Sequence, residues 1–285
     1  MSRSSASGSP VSRSPTLGAR LRRIEGRHNP LLKDLRQAFS RAEVTEDGDC
    51  AIEGVRIIEE AVRSGLRFRA IFFSESAGSK AERLLPQIGA RVETLMLPDK
   101  IFAAAVPSET PQGVAALVRL KPASLDEIFA RGVPGPVVVV VALQDPGNLG
   151  TILRSAESFE AAGVALSPGT VSPFNPKVVR ASAGSIFRLP VVREELPAII
   201  AQLRGHNFRL LAASSHKGTP LFQADFSGKF AIFIGSEGAG IPRDLIAEMD
   251  ELVSIPHSPR VESLNAGVAA SIVLYEVARQ RATAR

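Results

Sequence analysis

The chain has little of what disulfide-rich, metal-binding or membrane-spanning proteins need. One cysteine, Cys50, among 285 residues excludes an internal disulfide framework and indicates a reducing compartment. No apolar run approaches the ~20 residues of a membrane span, and the N-terminus lacks the apolar core of a secretory signal. The histidines are scattered without metal-site spacing: His28, His206, His216 and His257. These absences predict a cytoplasmic protein with no metal and no membrane partner.

Excess positive charge is confined to the start of the chain. Residues 1–41 carry nine Lys/Arg and two Asp/Glu, a net charge of +7, whereas the remainder sums to −2. A basic arm suits a polyanion, because each phosphate contact releases condensed counterions. A solvated tail that keeps the protein soluble is an equal alternative. Residues 1–20, rich in Ser, Pro, Gly and Arg, are predicted to be disordered.

Apolar periodicity divides the rest of the chain into two units. Residues 21–120 are predicted to form a small N-terminal α/β domain, in which the spacing of Leu31 and Leu35 indicates one helix. Residues 121–136, polar and with three prolines, are predicted to be a linker. From residue 137 to residue 285, continuous apolar strands alternate with helices. That alternation predicts a parallel sheet covered on both faces.

Three loops rich in Gly, Pro and polar residues follow strands of the second unit. They are Asp145–Thr151, Gly235–Pro242 and Ile255–Asn265. Open parallel sheets bind ligands beyond the carboxyl ends of their strands, so these loops predict a ligand site. Each loop alone is better explained as an ordinary turn, and Ser263 would also suit the N-cap of the last helix. A dinucleotide-binding fingerprint and a complete P-loop are missing, so neither NAD nor a nucleoside triphosphate is indicated.

The combination is more specific than its parts. The stretches "NLGTILRSA", "IGSEGAGIP" and "IPHSPRVESLNAGVA" occur in that order after successive predicted strands. Together they resemble the SpoU (TrmH) family of RNA ribose 2′-O-methyltransferases, in the SPOUT superfamily. Upstream, "NPLLKDLRQ" and "ETPQGVAALV" are similar to the RNA-binding substrate domain of that family. The resemblance implies a C-terminal parallel-sheet domain tied in a deep trefoil knot, a small preceding α/β domain, and a homodimer that completes the site.

The resemblance also implies which residues form the site. S-adenosylmethionine would be held largely by backbone groups near Gly235, Ile255 and Leu264, and no metal is implied. The polar set around the reacting ribose is then Asn148, Arg154, Glu237, Ser263 and Asn265. The planar guanidinium of Arg154 suits the neighbouring phosphate. Because it stays protonated, stabilising the developing alkoxide is a better role for it than general base.

The third stretch departs from the family pattern. Where the family commonly reads Ile-Pro-Met-x-Gly, this chain has His257 at the methionine position and Pro259 at the glycine position. The proline stiffens the loop and removes a backbone donor, and the histidine adds a titratable group. After "SLN", the usual Val-Ser is replaced by the smaller Ala266 and Gly267. These changes bear on how the cofactor is held.

The predicted function is therefore S-adenosylmethionine-dependent methylation of a ribose 2′-hydroxyl in RNA. The N-terminal domain favours ribosomal RNA over tRNA. A tRNA methyltransferase, a non-catalytic RNA-binding or ribosome-assembly protein on the same scaffold, and an unrelated nucleotide-using enzyme are the alternatives. The predicted partners are RNA, not DNA, and a second copy of the chain.

The predicted dimer interface is the last helix, expected over Ser263–Arg279. Its apolar stripe comprises Leu264, Val268, Ile272 and Tyr275. The alternative is a helix buried wholly inside its own domain.

Overall fold

Two β-sheets organise the chain. The computed structural model describes residues 20–283 except 27, 131, 133, 134, 237 and 239. The predicted disorder over residues 1–20 falls, apart from Arg20, outside the described residues, and so does Glu237.

The N-terminal unit is built on a mixed five-stranded sheet of order β1-β4-β3-β5-β2. Its strands are β1 (Arg22–Arg23), β2 (Asp49–Glu53), β3 (Arg67–Ser74), β4 (Glu93–Leu97) and β5 (Val114–Arg119). Its helices are α1 (Pro30–Arg41), α2 (Val55–Arg63), α3 (Gly78–Leu84) and α4 (Asp99–Ala103). The predicted first helix is confirmed: the Asn29 side chain caps it and Pro30 opens it.

The C-terminal unit is built on a seven-stranded, all-parallel sheet of order β10-β12-β9-β11-β6-β7-β8. Its strands are β6 (Val137–Val140), β7 (Gly163–Leu166), β8 (Val191–Arg193), β9 (Arg209–Ser214), β10 (Thr219–Pro220), β11 (Phe230–Ile234) and β12 (Glu251–Ser254). Helix α5 (Leu125–Ala130) precedes the sheet; the others are α6 (Pro146–Ser158), α7 (Pro176–Ala181), α8 (Leu196–Gly205), α9 (Arg243–Ala247) and α10 (Ala266–Thr283). The predicted parallel α/β architecture is confirmed.

Both faces of the parallel sheet are buried, as the continuous apolar strands predicted. Val137 and Val139 belong to one apolar cluster, whereas Val138 and Val140 belong to another. The second cluster continues into the N-terminal unit, where Phe73 is among its members. One hydrophobic core therefore joins the two sheets and fixes them against each other.

The chain crosses itself at the β12 edge of the sheet. Strand β12 lies between β9 and β10, so the short connection 215–218 that joins β9 to β10 must pass over it. Gly218 makes this passage possible, because a Cβ added there would lie 2.1 Å from the carbonyl oxygen of Leu252 on β12. Its φ of +101° also favours glycine. The trefoil knot that the resemblance implies stays a prediction.

The predicted linker contains a helix that sequence reasoning did not detect. Leu125 and Ile128 of α5 are buried in the core of the parallel sheet, and Ile128 fills the space beside Gly163, where a Cβ would come within 2.6 Å of its side chain. The flanking prolines and charges indicated a linker, and two buried apolar residues, Leu125 and Ile128, are too few to give a recognisable helical pattern.

Candidate active site

The turn after β6 positions Asn148. The Asp145 side chain accepts a hydrogen bond from the backbone N–H of Asn148 at 2.7 Å, and Pro146 occupies the first helical position. The predicted loop Asp145–Thr151 is therefore wrong beyond its first residue, because α6 begins at Pro146. An Asp-Pro pair is a helix-start signal, and it outweighs the glycines that suggested a loop.

Asn265 joins the third predicted loop to α6. Its amide nitrogen donates to the side-chain oxygen of Asn148 at 2.9 Å, and its own side-chain oxygen accepts from the backbone N–H of Val268 at 3.1 Å. The N-cap of α10 is thus Asn265, and the suggestion that Ser263 caps this helix is wrong. Two predicted site residues meet at the N-termini of two helices, with Asn148 only 8% exposed.

Helices α6 and α10 run side by side from this contact. A Cβ at Gly267 would lie 3.1 Å from the Cβ of Thr151 and 3.3 Å from the Asn148 side-chain oxygen, so the small residue permits the close approach. Farther along, the hydroxyls of Ser155 and Ser271 are 2.7 Å apart. The pairing advances in the same direction on both helices, so they are parallel and both N-termini face the same site.

Arg154 lies on α6, six residues after Asn148, and is exposed. In the part of the chain that the structure describes, its guanidinium forms no hydrogen bond or ion pair. By contrast, Arg188, which contacts the same helix, is fully engaged with carboxylates. Arg154 therefore presents its donors outward, as an anion-binding arginine must.

The second predicted loop is a tight turn after β11. Ser236 and Gly240 form an antiparallel bridge, and the Gly240 N–H donates to the Ser236 carbonyl at 2.9 Å. Gly235 sits against the returning chain so closely that a Cβ there would lie 2.4 Å from the Gly240 carbonyl carbon. Only glycine fits at that position. Glu237 is outside the described residues.

The third loop carries an unusual histidine. The Nδ1 of His257 is 2.7 Å from the Ile255 carbonyl oxygen, so Nδ1 donates the proton of this hydrogen bond, and in that tautomer Nε2 is an acceptor. Nε2 is buried without a partner among the described residues. The ring of His216, from the connection that crosses β12, lies 5.4 Å away between centroids. Ile255 and Leu264 are half-buried and Ser263 is exposed.

Two further residues hold the end of β6 and were not found from the sequence. Ser167 accepts a hydrogen bond from the Ala142 N–H at 3.0 Å, where φ is +49°, and Thr170 donates to the Val140 carbonyl at 3.3 Å. Both hydroxyls are buried and fix the turn that leads to Asp145. The signal was the "SPGT" that follows β7.

The scan for metal-binding clusters gives no candidate site among the described residues. The same residues include no helix long and apolar enough to cross a membrane.

The structure combines an all-parallel sheet with a self-crossing edge, polar loops at its carboxyl ends and a preceding mixed-sheet unit. This two-unit α/β architecture is the one expected from the resemblance to SPOUT-type RNA methyltransferases. The model of the SpoU rRNA methylase family matches residues 135–275, and that of the MRM3-like substrate-binding domain matches residues 29–116. The chain belongs to the SpoU rRNA methylase family.

Curated relatives span nearly the whole chain. The 23S rRNA (guanosine(2553)-2′-O)-methyltransferase RlmP of Bacillus subtilis is 32% identical over 90% of this chain and 99% of its own length. The 23S rRNA (uridine(2479)-2′-O)-methyltransferase of Streptomyces viridochromogenes is 32% identical over 86% of this chain and 88% of its own.

Solved structures agree. The AdoMet complex of AviRb from Streptomyces viridochromogenes superposes with a TM-score of 0.77 at 29% identity, covering 90% of this chain and 100% of that one. The AdoMet-bound rRNA methyltransferase of Sinorhizobium meliloti gives a TM-score of 0.75 at 25% identity, covering 92% and 98%. Both units of the fold are therefore matched together.

Proposed function

We propose that this protein is a cytoplasmic enzyme that transfers a methyl group from S-adenosylmethionine to a ribose 2′-hydroxyl of ribosomal RNA. The observation that carries the proposal is similarity along both units to 23S rRNA 2′-O-methyltransferases, together with the meeting of Asn148 and Asn265 at the start of the helix that also carries Arg154. Residues 21–120 would hold the RNA, residues 137–285 would perform the transfer, and residues 121–136 would join them.

The residues at the strand ends fit this cofactor. Gly235 keeps the second loop closed on itself, and the loops offer backbone donors and acceptors at Gly235, Ile255 and Leu264. The buried, unpartnered Nε2 of His257 supplies an acceptor that an adenine amino group could satisfy. When bound, the cofactor supplies an electrophilic methyl group on a sulfonium. Being a cation, it needs no pyrophosphate cradle, which agrees with the lack of a dinucleotide fingerprint.

The polar site residues would bind the RNA and stabilise the charge that develops during methyl transfer. Arg154 would bind the phosphate beside the target ribose and stabilise the negative charge that develops on the 2′-oxygen. Asn148 and Asn265, which hold each other by their side chains, would fix the orientation of the ribose. Ser263 would donate to the same sugar, and Glu237 would orient the guanidinium of Arg154.

We further propose a homodimer formed through α10. The helix buries one side against α6, but Val268 is 47% and Tyr275 is 57% exposed on another side, with Leu264 and Ile272 half-buried. Four apolar residues of the predicted stripe therefore retain accessible surface, which favours a partner over a helix satisfied within its own domain. Arg154 is exposed on the neighbouring helix, so a partner on this face would border the site.

The test is methyl transfer from labelled S-adenosylmethionine to 23S rRNA isolated from cells that lack the protein. Labelled RNA is digested to nucleosides, and we expect the label on a 2′-O-methyl ribose. A DNA copy of the same sequence should stay unlabelled, because it has no 2′-hydroxyl. Label on a base, or equal labelling of DNA, contradicts the proposal.

A further inference from the structure

The segment from α7 to Arg188 lies between the N-terminal unit and α6. On one side, a Cβ added to Gly150 of α6 would lie 2.3 Å from the Cβ of Ala181. On the other, a Cβ added to Gly184 would lie 2.9 Å from the Cβ of Glu60 on α2, and Gly184 has a φ of +90°. The segment is therefore in close packing contact with α6 on one side and with α2 on the other.

The Arg188 side chain ends this segment and bonds to both helices. Its Nε and Nη2 donate to the two carboxylate oxygens of Glu157 on α6, the second at 2.9 Å. Its Nη1 donates to Glu60 at 3.2 Å and to the hydroxyl of Ser64 at 3.0 Å, at the end of α2. The Arg188 guanidinium also lowers the pKa of the Glu157 carboxyl. One planar group thus ties α2 to α6.

The charges make this joint specific. Glu60 and Glu157 come from different units and share the Arg188 guanidinium, and Glu60 also pairs with Arg63 on its own helix. Without Arg188, the two carboxylates would lose the cation that bridges them. A lysine would preserve the positive charge but could not make both bonds to Glu157 and reach α2 with the same geometry. Arg180, at the other end of the segment, reaches the N-terminal unit through a 3.7 Å ion pair with Glu53 and a 3.4 Å hydrogen bond to the hydroxyl of Ser108.

The bonds of Arg188 to Glu157 reach α6, the helix that carries Arg154. Glu157 follows Arg154 by three residues, within one turn of α6. We propose that Arg188 is a positioning residue: it fixes the RNA-holding unit relative to α6, so that the target ribose arrives in line with the cofactor. The proposal rests on the proposed function, since it assigns RNA to the first unit and Arg154 to the reaction.

The experiment compares Arg188→Lys and Glu60→Gln with the wild-type chain. The matched control is Arg204→Lys, because Arg204 forks to Asp250 and the Glu248 carbonyl within the C-terminal unit and is similarly exposed, 43% against 38% for the Arg188 side chain. For each protein we would measure thermal unfolding, the dissociation constants of cofactor and RNA, and the single-turnover rate with both saturating.

We expect the single-turnover rate to fall about tenfold or more for Arg188→Lys and Glu60→Gln, since small misplacements of reacting groups cost factors of about 100. Unfolding, both dissociation constants and the Arg204→Lys rate should stay at wild-type values. In Arg188→Ala, added guanidinium ions should recover part of the rate, whereas equal sodium should not.

Two results overturn the inference: a wild-type rate in both variants, or a loss of rate matched by an equal loss of folded protein. Wild-type enzyme that labels no ribose overturns the proposed function and this inference together. Active wild type with unaffected variants overturns this inference alone.

Discussion

At the scale of single residues, Arg154 is the side chain whose removal should be most selective. Arg154→Ala should lower the single-turnover rate by a factor of about 100 to 1,000, the usual cost of losing one preorganised donor to developing negative charge. Cofactor affinity should not change, because the cofactor is assigned to other loops.

Calorimetry with S-adenosylmethionine and a quenched-flow assay provide the two measurements. The control is Arg91→Ala, which removes another exposed arginine from the N-terminal unit. Full activity of Arg154→Ala would exclude this residue from the mechanism.

His257 allows a second prediction at this scale. His257→Met removes the Nε2 that is buried without a partner among the described residues, a penalty of about 1–3 kcal/mol, and also the Nδ1 hydrogen bond to Ile255, a loss of about 1 kcal/mol. The net effect should be a higher free energy of unfolding of the cofactor-free protein. The same change should weaken cofactor binding if Nε2 accepts a hydrogen bond from the adenine. His216→Ala, on the adjoining exposed ring, serves as the control.

Urea unfolding and calorimetry separate the two effects of His257→Met. A variant that is more stable and binds the cofactor as before would show that His257 lowers the stability of the protein without contributing to cofactor binding. A variant that is no more stable would contradict the premise that Nε2 is unsatisfied.

At the scale of elements, α10 combines two roles that its sequence pattern did not separate. The pattern predicted a broad apolar surface, and the structure divides it into a side packed on α6 and a side with Val268 and Tyr275 exposed. Val268→Glu combined with Tyr275→Glu should therefore dissociate the proposed dimer while leaving the fold intact, because a charge on an exposed position costs the monomer little.

Light scattering over a dilution series measures this outcome. The wild-type chain should show twice the mass of 30.3 kDa, and the double variant should show the single mass with reduced activity. Phe222→Glu, which changes an exposed apolar residue outside both the helix and the three loops, is the matched control. A monomeric wild type at micromolar concentration with full activity would contradict the dimer.

Helices and strands could be predicted where the local sequence pattern was strong. The prediction failed where contacts between distant parts of the chain determine whether an element forms. The continuous apolar runs that form β6 and β11 predicted the parallel sheet directly. The two-residue β10 exists only because it pairs with β12 across the chain crossing, and no local pattern encodes that pairing. Likewise, the choice of Asn265 over Ser263 as the α10 cap depends on the bond to Asn148, which is 117 residues away along the chain.

At the scale of the whole molecule, the described part of the basic start of the chain, from Arg20 to Arg41, is part of the fold of the N-terminal unit. Leu32 and Leu35 of α1 lie in the core of the N-terminal sheet, and the Arg20 guanidinium donates to the carbonyls of Leu85 and Ile88. Removing residues 1–40 would therefore damage that unit. Electrostatic binding must be tested by substituting exposed charges.

Lys33 and Arg41 are exposed basic residues of α1, and Lys33→Gln with Arg41→Gln removes two positive charges without touching the core. If both contact phosphate, the slope of log K for RNA against log salt should become shallower by roughly 0.7 to 0.9 per contact. Cofactor affinity should be unaffected.

Lys229→Gln in the other unit removes a comparable exposed charge and should leave the slope unchanged. Filter binding of 23S rRNA fragments across a salt series gives the slopes. An unaltered slope in the double variant would mean that neither Lys33 nor Arg41 contacts RNA phosphate.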